Sequence, residues 1–229
     1  PWSSSNTLVV ENTLPVTVSL SLSHTEAKTT DSITVEFTQS DIDGDEESAS
    51  EITWWKNGVQ ESFLTGQITL PSESTLKGEI WTVMVKAGDG VSMSEIALSA
   101  NVTIINSAPT VSFTISSNVT ALGPLNLTIA TDDVDGDDVT TEIMWYRNGF
   151  LDGSLTGEIS VPNLLLGPGQ TWTAHVTPTD SGSASGATVI KTITVVNIEP
   201  TAQINVQNEV IWIGEWTTID ATQSSDVDG

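Results

Sequence analysis

The side chains best placed for chemistry are aspartates, and they recur in one pattern. Asp41-Ile-Asp43-Gly44-Asp45 is followed by Asp133-Val-Asp135-Gly136-Asp137 and then by Asp226-Val-Asp228-Gly229. Alternate carboxylates around a glycine suit a hard cation. Calcium takes six to eight oxygens, and a glycine lets the backbone curl so that several side chains and a carbonyl converge. Three carboxylates this close repel one another without a counter-charge. The pattern is not an EF-hand, which has its glycine sixth and a bidentate Glu twelfth. Here the glycine is fourth, and Glu51 and Glu142 fall eleventh and tenth when counted from the leading Asp of each loop. Calcium at Asp41, Asp43, Asp45, Asp133, Asp135, Asp137, Asp226 and Asp228 is therefore one reading. The other is a metal-free Asx turn between strands, which the same residue types also favour. Oxygens from neighbouring linkers, around Asn106 and Asn197, would complete a partial cation site.

The elements that position these loops are written twice. Trp54, Trp81, Asp89, Asn106 and Pro109 recur as Trp145, Trp172, Asp180, Asn197 and Pro200, each displaced by 91 residues. A fixed interval of this kind marks a repeat array. Within each copy, apolar residues alternate with polar ones at period two, the signature of half-buried strands. Val18, Leu20 and Leu22 form one such set, Ile33, Val35 and Phe37 the next, and Ile96, Leu98, Val102 and Ile104 the last; Val111, Phe113 and Ile115 open the second copy. Asn57-Gly58 and Asn148-Gly149 mark tight hairpins, since both residue types tolerate positive φ. Short strands at regular spacing predict an all-β chain of tandem immunoglobulin-like antiparallel β-sandwiches, with Trp54, Trp81, Trp145 and Trp172 in the cores. The repeats are expected at 13–105 and 106–196. Residues 1–12 are read as the last strand of a preceding repeat, and 197–229 as the truncated start of another. Because the chain opens at Pro1 and stops inside the third acidic motif, it is read as a segment of a longer protein. The short linkers make neighbouring repeats each other's first partners.

Charge narrows the other partners. Asp and Glu number 30 against 6 Lys and Arg, for a formal charge of −24. Such a field repels duplex nucleic acid and anionic lipid. Solubility in a salty medium explains the acidity as well as cation binding does. With no cysteine, there is neither a disulfide framework nor thiol chemistry. No apolar run is long enough to span a membrane. Catalysis is not expected: His24 and His175 fall on different strands of different repeats, so no repeated base exists. Trp55 and Tyr146, on the opposite face of the strand that carries the core tryptophans, are candidates for exposed contacts. Asn101, Asn118 and Asn126 head Asn-x-Thr sequons open to glycosylation in a suitable host.

The stretch Ile219-Asp220-Ala221-Thr222-Gln223-Ser224-Ser225-Asp226-Val227-Asp228-Gly229 resembles the D-A-S-x-S-x-D-x-D-G signature that opens PKD domains. Ile-Thr-Trp54 and Ile-Met-Trp145 stand where that family has its aromatic-x-Trp strand. After the tryptophan the family commonly has Asp-Phe-Gly-Asp-Gly, where this chain has Trp55-Lys56-Asn57-Gly58 and Tyr146-Arg147-Asn148-Gly149. The Asp-x-Asp loop beyond a linker proline is also similar to cadherin repeats, where such aspartates share calcium between modules, although the cadherin linker is acidic and Asn106-Ser-Ala-Pro109 is not. The resemblance implies tandem immunoglobulin-fold repeats of secreted or surface prokaryotic proteins, extracellular or at the cell surface. The expected function is a non-catalytic structural or adhesive segment, calcium-stiffened, with surface protein or polysaccharide as further partners. The alternative is an accessory carbohydrate- or protein-binding array of a secreted hydrolase, acting through Trp55 and Tyr146.

Overall fold

A computed structural model describes residues 9–95, 97–207 and 209–228. Leu8 and Ile96, both expected in strands, lie outside the described residues, and residues 9–12 form no strand. The chain divides into two compact units, Pro1–Ser107 and Ala108–Gly229.

In the first unit the strands are β1 (Val16–Leu22), β2 (Glu26–Lys28), β3 (Ile33–Ser40), β4 (Glu51–Lys56), β5 (Val59–Gln60), β6 (Thr69–Leu70), β7 (Ile80–Lys86) and β8 (Leu98–Ile105). They form two sheets, ordered β1-β3-β6 and β2-β8-β7-β4-β5. In the second unit, β9 (Thr110–Ile115), β10 (Leu125–Asp132) and β13 (Ser160–Val161) make one sheet. The other is built from β11 (Val139–Arg147), β12 (Phe150–Leu151), β14 (Thr171–Asp180) and β15 (Val189–Thr194), ordered β12-β11-β14-β15. Two short strands, β16 (Asn205–Val206) and β17 (Ile219–Asp220), pair separately. Each repeat is thus an all-β immunoglobulin-like sandwich. Among the described residues helix is confined to single 3-10 turns such as Ser62–Leu64 and Gly153–Leu155. Among the described strands pairing is antiparallel except for β2, which runs parallel to the end of β8, and an isolated parallel bridge joins Ser48 to Asp89.

The tryptophans are where the alternation places them. Trp54, Trp81, Trp145 and Trp172 have no exposed surface. Inward residues of both sheets close around them: Ile33, Leu70, Val83 and Ile104 in one core, Leu125, Val161, Ala174 and Val176 in the other. Each indole N–H still needs an acceptor once buried. Trp54 Nε1 donates to the Gln67 carbonyl and Trp145 Nε1 to the Glu158 carbonyl, both at 2.9 Å. Trp81 donates to Glu79 Oε2 (2.9 Å), and Trp172 to Gln170 Oε1 (3.2 Å). The hairpins also form as expected. Asn57 and Asn148 take φ of 48° and 49°, and each side-chain oxygen accepts the N–H that starts the facing strand, Ile80 or Thr171, at 2.9 Å.

One strand departs from its expected parity. Val18 is exposed and so is Val16, while Thr17 between them is buried. The β1–β3 register shifts between Thr17 and Ser19, a bulge. An inserted residue reverses which side chains face inward. Thr17 therefore occupies the interior, bonding Ser94 Oγ at 3.2 Å and accepting the Ala87 N–H at 3.1 Å, and the expected alternation resumes at Leu20 and Leu22.

Candidate metal centre

The first two acidic loops leave corresponding sheets of their own repeats, Asp41–Asp45 between β3 and β4 and Asp133–Asp137 between β10 and β11. Gly44 and Gly136 take φ of 80° and 76°, the left-handed region where a side chain is strained. That turn folds the aspartates onto one another. In each loop one carboxylate oxygen from every member of the trio lies within 4.8 Å of the others. Two oxygens held at about 2.4 Å by one calcium stand at most about 4.8 Å apart, so a shared hard cation could reach all three carboxylates. Asp133, Asp135 and Asp137 are all half-buried; in the first loop only Asp41 is, with Asp43 and Asp45 exposed.

The hydrogen bonds divide the carboxylate oxygens into two jobs. Asp41 Oδ1 accepts the Asp43 N–H at 2.7 Å, and Asp133 Oδ1 accepts those of Asp135 and Asp137 at 2.8 and 3.3 Å. These are Asx turns, so that part of the turn reading holds. The second oxygens, Asp41 Oδ2 and Asp133 Oδ2, are shielded from solvent and have no hydrogen-bond partner. A buried polar atom without a partner is costly. A carboxylate acceptor surrounded by other acceptors can be satisfied only by a proton donor or a cation. The donor set is all carboxylate oxygen, which fits calcium or magnesium and not a thiolate- or imidazole-seeking metal.

The third loop is a partial copy. Asp226 Oδ1 accepts the Asp228 N–H at 3.3 Å, and Asp228 Oδ1 is again shielded and without a partner. No third carboxylate joins them among the described residues.

The middle aspartate has a further role that the sequence did not reveal. Thr13 N–H donates to Asp43 Oδ2 at 2.6 Å, and Ile198 N–H donates to Asp228 Oδ2 at 3.0 Å. In both cases the residue after a linker asparagine is fastened to the acidic loop of the repeat it enters. Asn12 reaches further, donating from Nδ2 to Asp89 Oδ2 at 2.8 Å. Asp89 Oδ1 meanwhile accepts Val91 and Ser92 N–H, both at 2.6 Å. The Asn12 amide, then the Ser92 and Val91 N–H groups, hold the Asp89 carboxyl below its ordinary range. Asp89 thus anchors the segment that leads into its repeat, where the sequence had marked only a recurring landmark.

The linker asparagines make local hydrogen bonds. Asn106 Oδ1 accepts the Lys77 ammonium at 3.0 Å, and the amide nitrogens of Asn106 and Asn197 each donate to the next carbonyl, also at 3.0 Å. His24 belongs to the first unit and His175 to the second. His24 Nδ1 pairs with Ser23 Oγ at 2.9 Å, His175 stacks on Tyr146, and no carboxylate bonds either ring among the described residues.

No family model and no curated protein matches the chain. Among solved structures it is similar to a two-domain fibronectin type-III segment of chicken tenascin, with 10% identity over 78% of this chain and 99% of that one, at a TM-score of 0.35. It is also similar to the fibronectin(III)-like modules of Clostridium thermocellum CbhA, with 14% identity, 78% and 94% coverage and a TM-score of 0.29. The chicken CNTN1 FN1-FN3 domains match with 10% identity over 84% of this chain and 72% of that one, at 0.34. No helix among the described residues is long and apolar enough to cross a membrane.

Proposed function

We propose that this chain is a non-catalytic structural or adhesive segment of an extracellular or cell-surface repeat protein, PKD-like in kind, whose repeats are ordered by calcium. The observation that carries this reading is the pair of carboxylate trios, each with a shielded oxygen, Asp41 Oδ2 or Asp133 Oδ2, left without a partner. Asp41, Asp43 and Asp45 would hold one ion, and Asp133, Asp135 and Asp137 a second. The ion would supply charge neutralisation and a rigid centre. Because Asp43 also binds the Thr13 N–H, fixing its carboxylate fixes the entry segment as well. The effect on function is mechanical: a repeat whose entry segment is pinned transmits force with less local fraying.

Calorimetric melting in chelator and in ~10 mM calcium tests the proposal, since extracellular modules bind calcium at roughly 10⁻⁴ to 10⁻³ M. A rise in melting temperature with calcium, absent with potassium at equal ionic strength, is expected. Superimposable curves would show that the loops are turns and the acidity a solvated surface.

A further inference from the structure

The outer face of the first repeat carries a second feature, unrelated to the acidic loops. On β4 the inward residues are Ile52 and Trp54, so Glu51, Thr53 and Trp55 point outward. Trp55 pairs across to Gln60 on one side and to Thr82 on the other, and Glu51 stands opposite Lys86. The Trp55 N–H reaches back to Thr53 Oγ1 at 3.4 Å, which folds the indole along its own strand. A cleft of about 190 Å³ results, lined by Trp55 and Met84 together with Glu51, Thr53, Gln60 and Lys86.

We infer that this cleft binds a neutral glycan, one sugar ring stacking on Trp55. An indole face is electron-rich and prefers the weakly positive C–H face of a pyranose. The hydroxyls around that ring need donors and acceptors, and the cleft provides the Glu51 carboxylate, the Gln60 amide and the Lys86 ammonium. A few convergent polar groups beside apolar side chains are what a small-ligand site requires. Charge selects among ligands. The protein carries −24 overall, so its field disfavours anionic sugars, while Lys86 beside Glu51 leaves the cleft locally balanced and gives a cation no advantage. The matching position in the second repeat is already covered. His175 lies over Tyr146 with ring centroids 4.4 Å apart, so one face of that ring is already taken.

The test is an NMR titration of the whole chain with cellohexaose, laminarihexaose and mannohexaose as neutral probes and oligogalacturonate as the anionic one, all in chelator. Carrying it out in chelator separates the result from the calcium reading. The Trp55 indole N–H, assigned by its loss in Trp55→Phe, should shift saturably with at least one neutral probe, with Kd of about 1 mM. Trp55→Ala should weaken binding at least about tenfold and Glu51→Gln about threefold, both with unchanged melting temperature. Tyr146→Ala should leave Kd unaltered. The inference is overturned if no neutral probe moves the Trp55 signal, if oligogalacturonate binds as well as the neutral probes, or if Trp55→Ala and Tyr146→Ala weaken binding equally.

Discussion

Replacing Asp133 by asparagine separates the two jobs of that side chain. The amide oxygen can still accept the Asp135 and Asp137 N–H groups, so the turn survives. What changes is the shielded second oxygen, which becomes an NH₂ donor facing the two remaining carboxylates. In chelator this should stabilise the protein. Two charges 4.8 Å apart, the upper bound for the trio, repel by about 0.9 kcal/mol at the dielectric constant of water. Two such pairs, screened by a Debye length of about 8 Å at physiological salt, leave about 1 kcal/mol to be relieved. For a repeat of this size that is a rise of about 4–8 °C in melting temperature. In ~10 mM calcium the order should reverse, because the wild-type site gains RT ln(1 + [L]/Kd), about 1.4 to 2.7 kcal/mol across the Kd range expected of extracellular modules, and the variant gains little. Asp133→Asn should therefore melt above wild type in chelator and below it in calcium. Differential scanning calorimetry of both proteins in both buffers reads the crossing. If the variant is more stable by the same margin in both buffers, no ion is held. If it is less stable in both, the second oxygen is not the uncompensated group described above.

Other expectations concern the framework. Burial alone would raise the Glu79 carboxyl, but the Lys56 ammonium and the Leu76 and Trp81 N–H groups outweigh it and bring it below its ordinary value. A folded-state value below the unfolded one gives stability that is present above the unfolded value and lost as pH falls through the folded one. Glu79→Gln, which installs the residue that Trp172 already uses, should thus cost stability at neutral pH, and thermal melts should show the difference from wild type shrinking below about pH 4. Trp54→Ala and Trp145→Ala should each destabilise their own repeat by about 3–5 kcal/mol in urea unfolding. Gly186→Ala should destabilise by about 1–3 kcal/mol, because its Cβ would meet the Pro109 carbonyl oxygen and the Pro178 ring. Gly153→Ala, with open space around it, is the neutral control. A gel-shift assay at ~150 mM salt should detect no binding to duplex DNA, since the protein carries −24.

The sequence showed most clearly whatever depends on a local rule. Period-two alternation placed the buried tryptophans, and Asn-Gly placed the hairpins, because side-chain parity and positive φ are properties of adjacent residues. Long-range choices were hidden. Nothing in Glu26-Ala27-Lys28 signals parallel pairing with β8, and nothing in Val16–Ser19 announces the bulge that exposes Val18 and buries Thr17. Leu64 and Leu155 are buried from single 3-10 turns, too short for any periodicity to register. At the acidic loops the spacing of Asp, Asp, Gly and Asp was enough to bring the trios together. It could not show that one oxygen of each leading aspartate is spent on the turn and the other left over, or that Asp43, Asp89 and Asp228 hold the segments entering the repeats.

Comparing the repeats with each other sharpens the case for a cation. Where a role needs only backbone, the side chain has drifted: Trp54 and Trp145 donate to main-chain carbonyls, and the residues supplying them are Gln67 and Glu158. Where a role needs a side-chain acceptor of either charge, both kinds occur, as with Glu79 and Gln170 under Trp81 and Trp172. An Asx turn belongs to this second class, because asparagine accepts the i+2 N–H as aspartate does. If the loops were turns alone, asparagine should be scattered among their alternate positions, as it is at the hairpins and linkers of the same chain. All eight are aspartate instead. Holding eight carboxylates where an uncharged residue would form the same turn and avoid the repulsion is a cost without a return, unless the charge is used. A divalent ion is a use that accounts for the charge, the spacing and the shielded oxygens together.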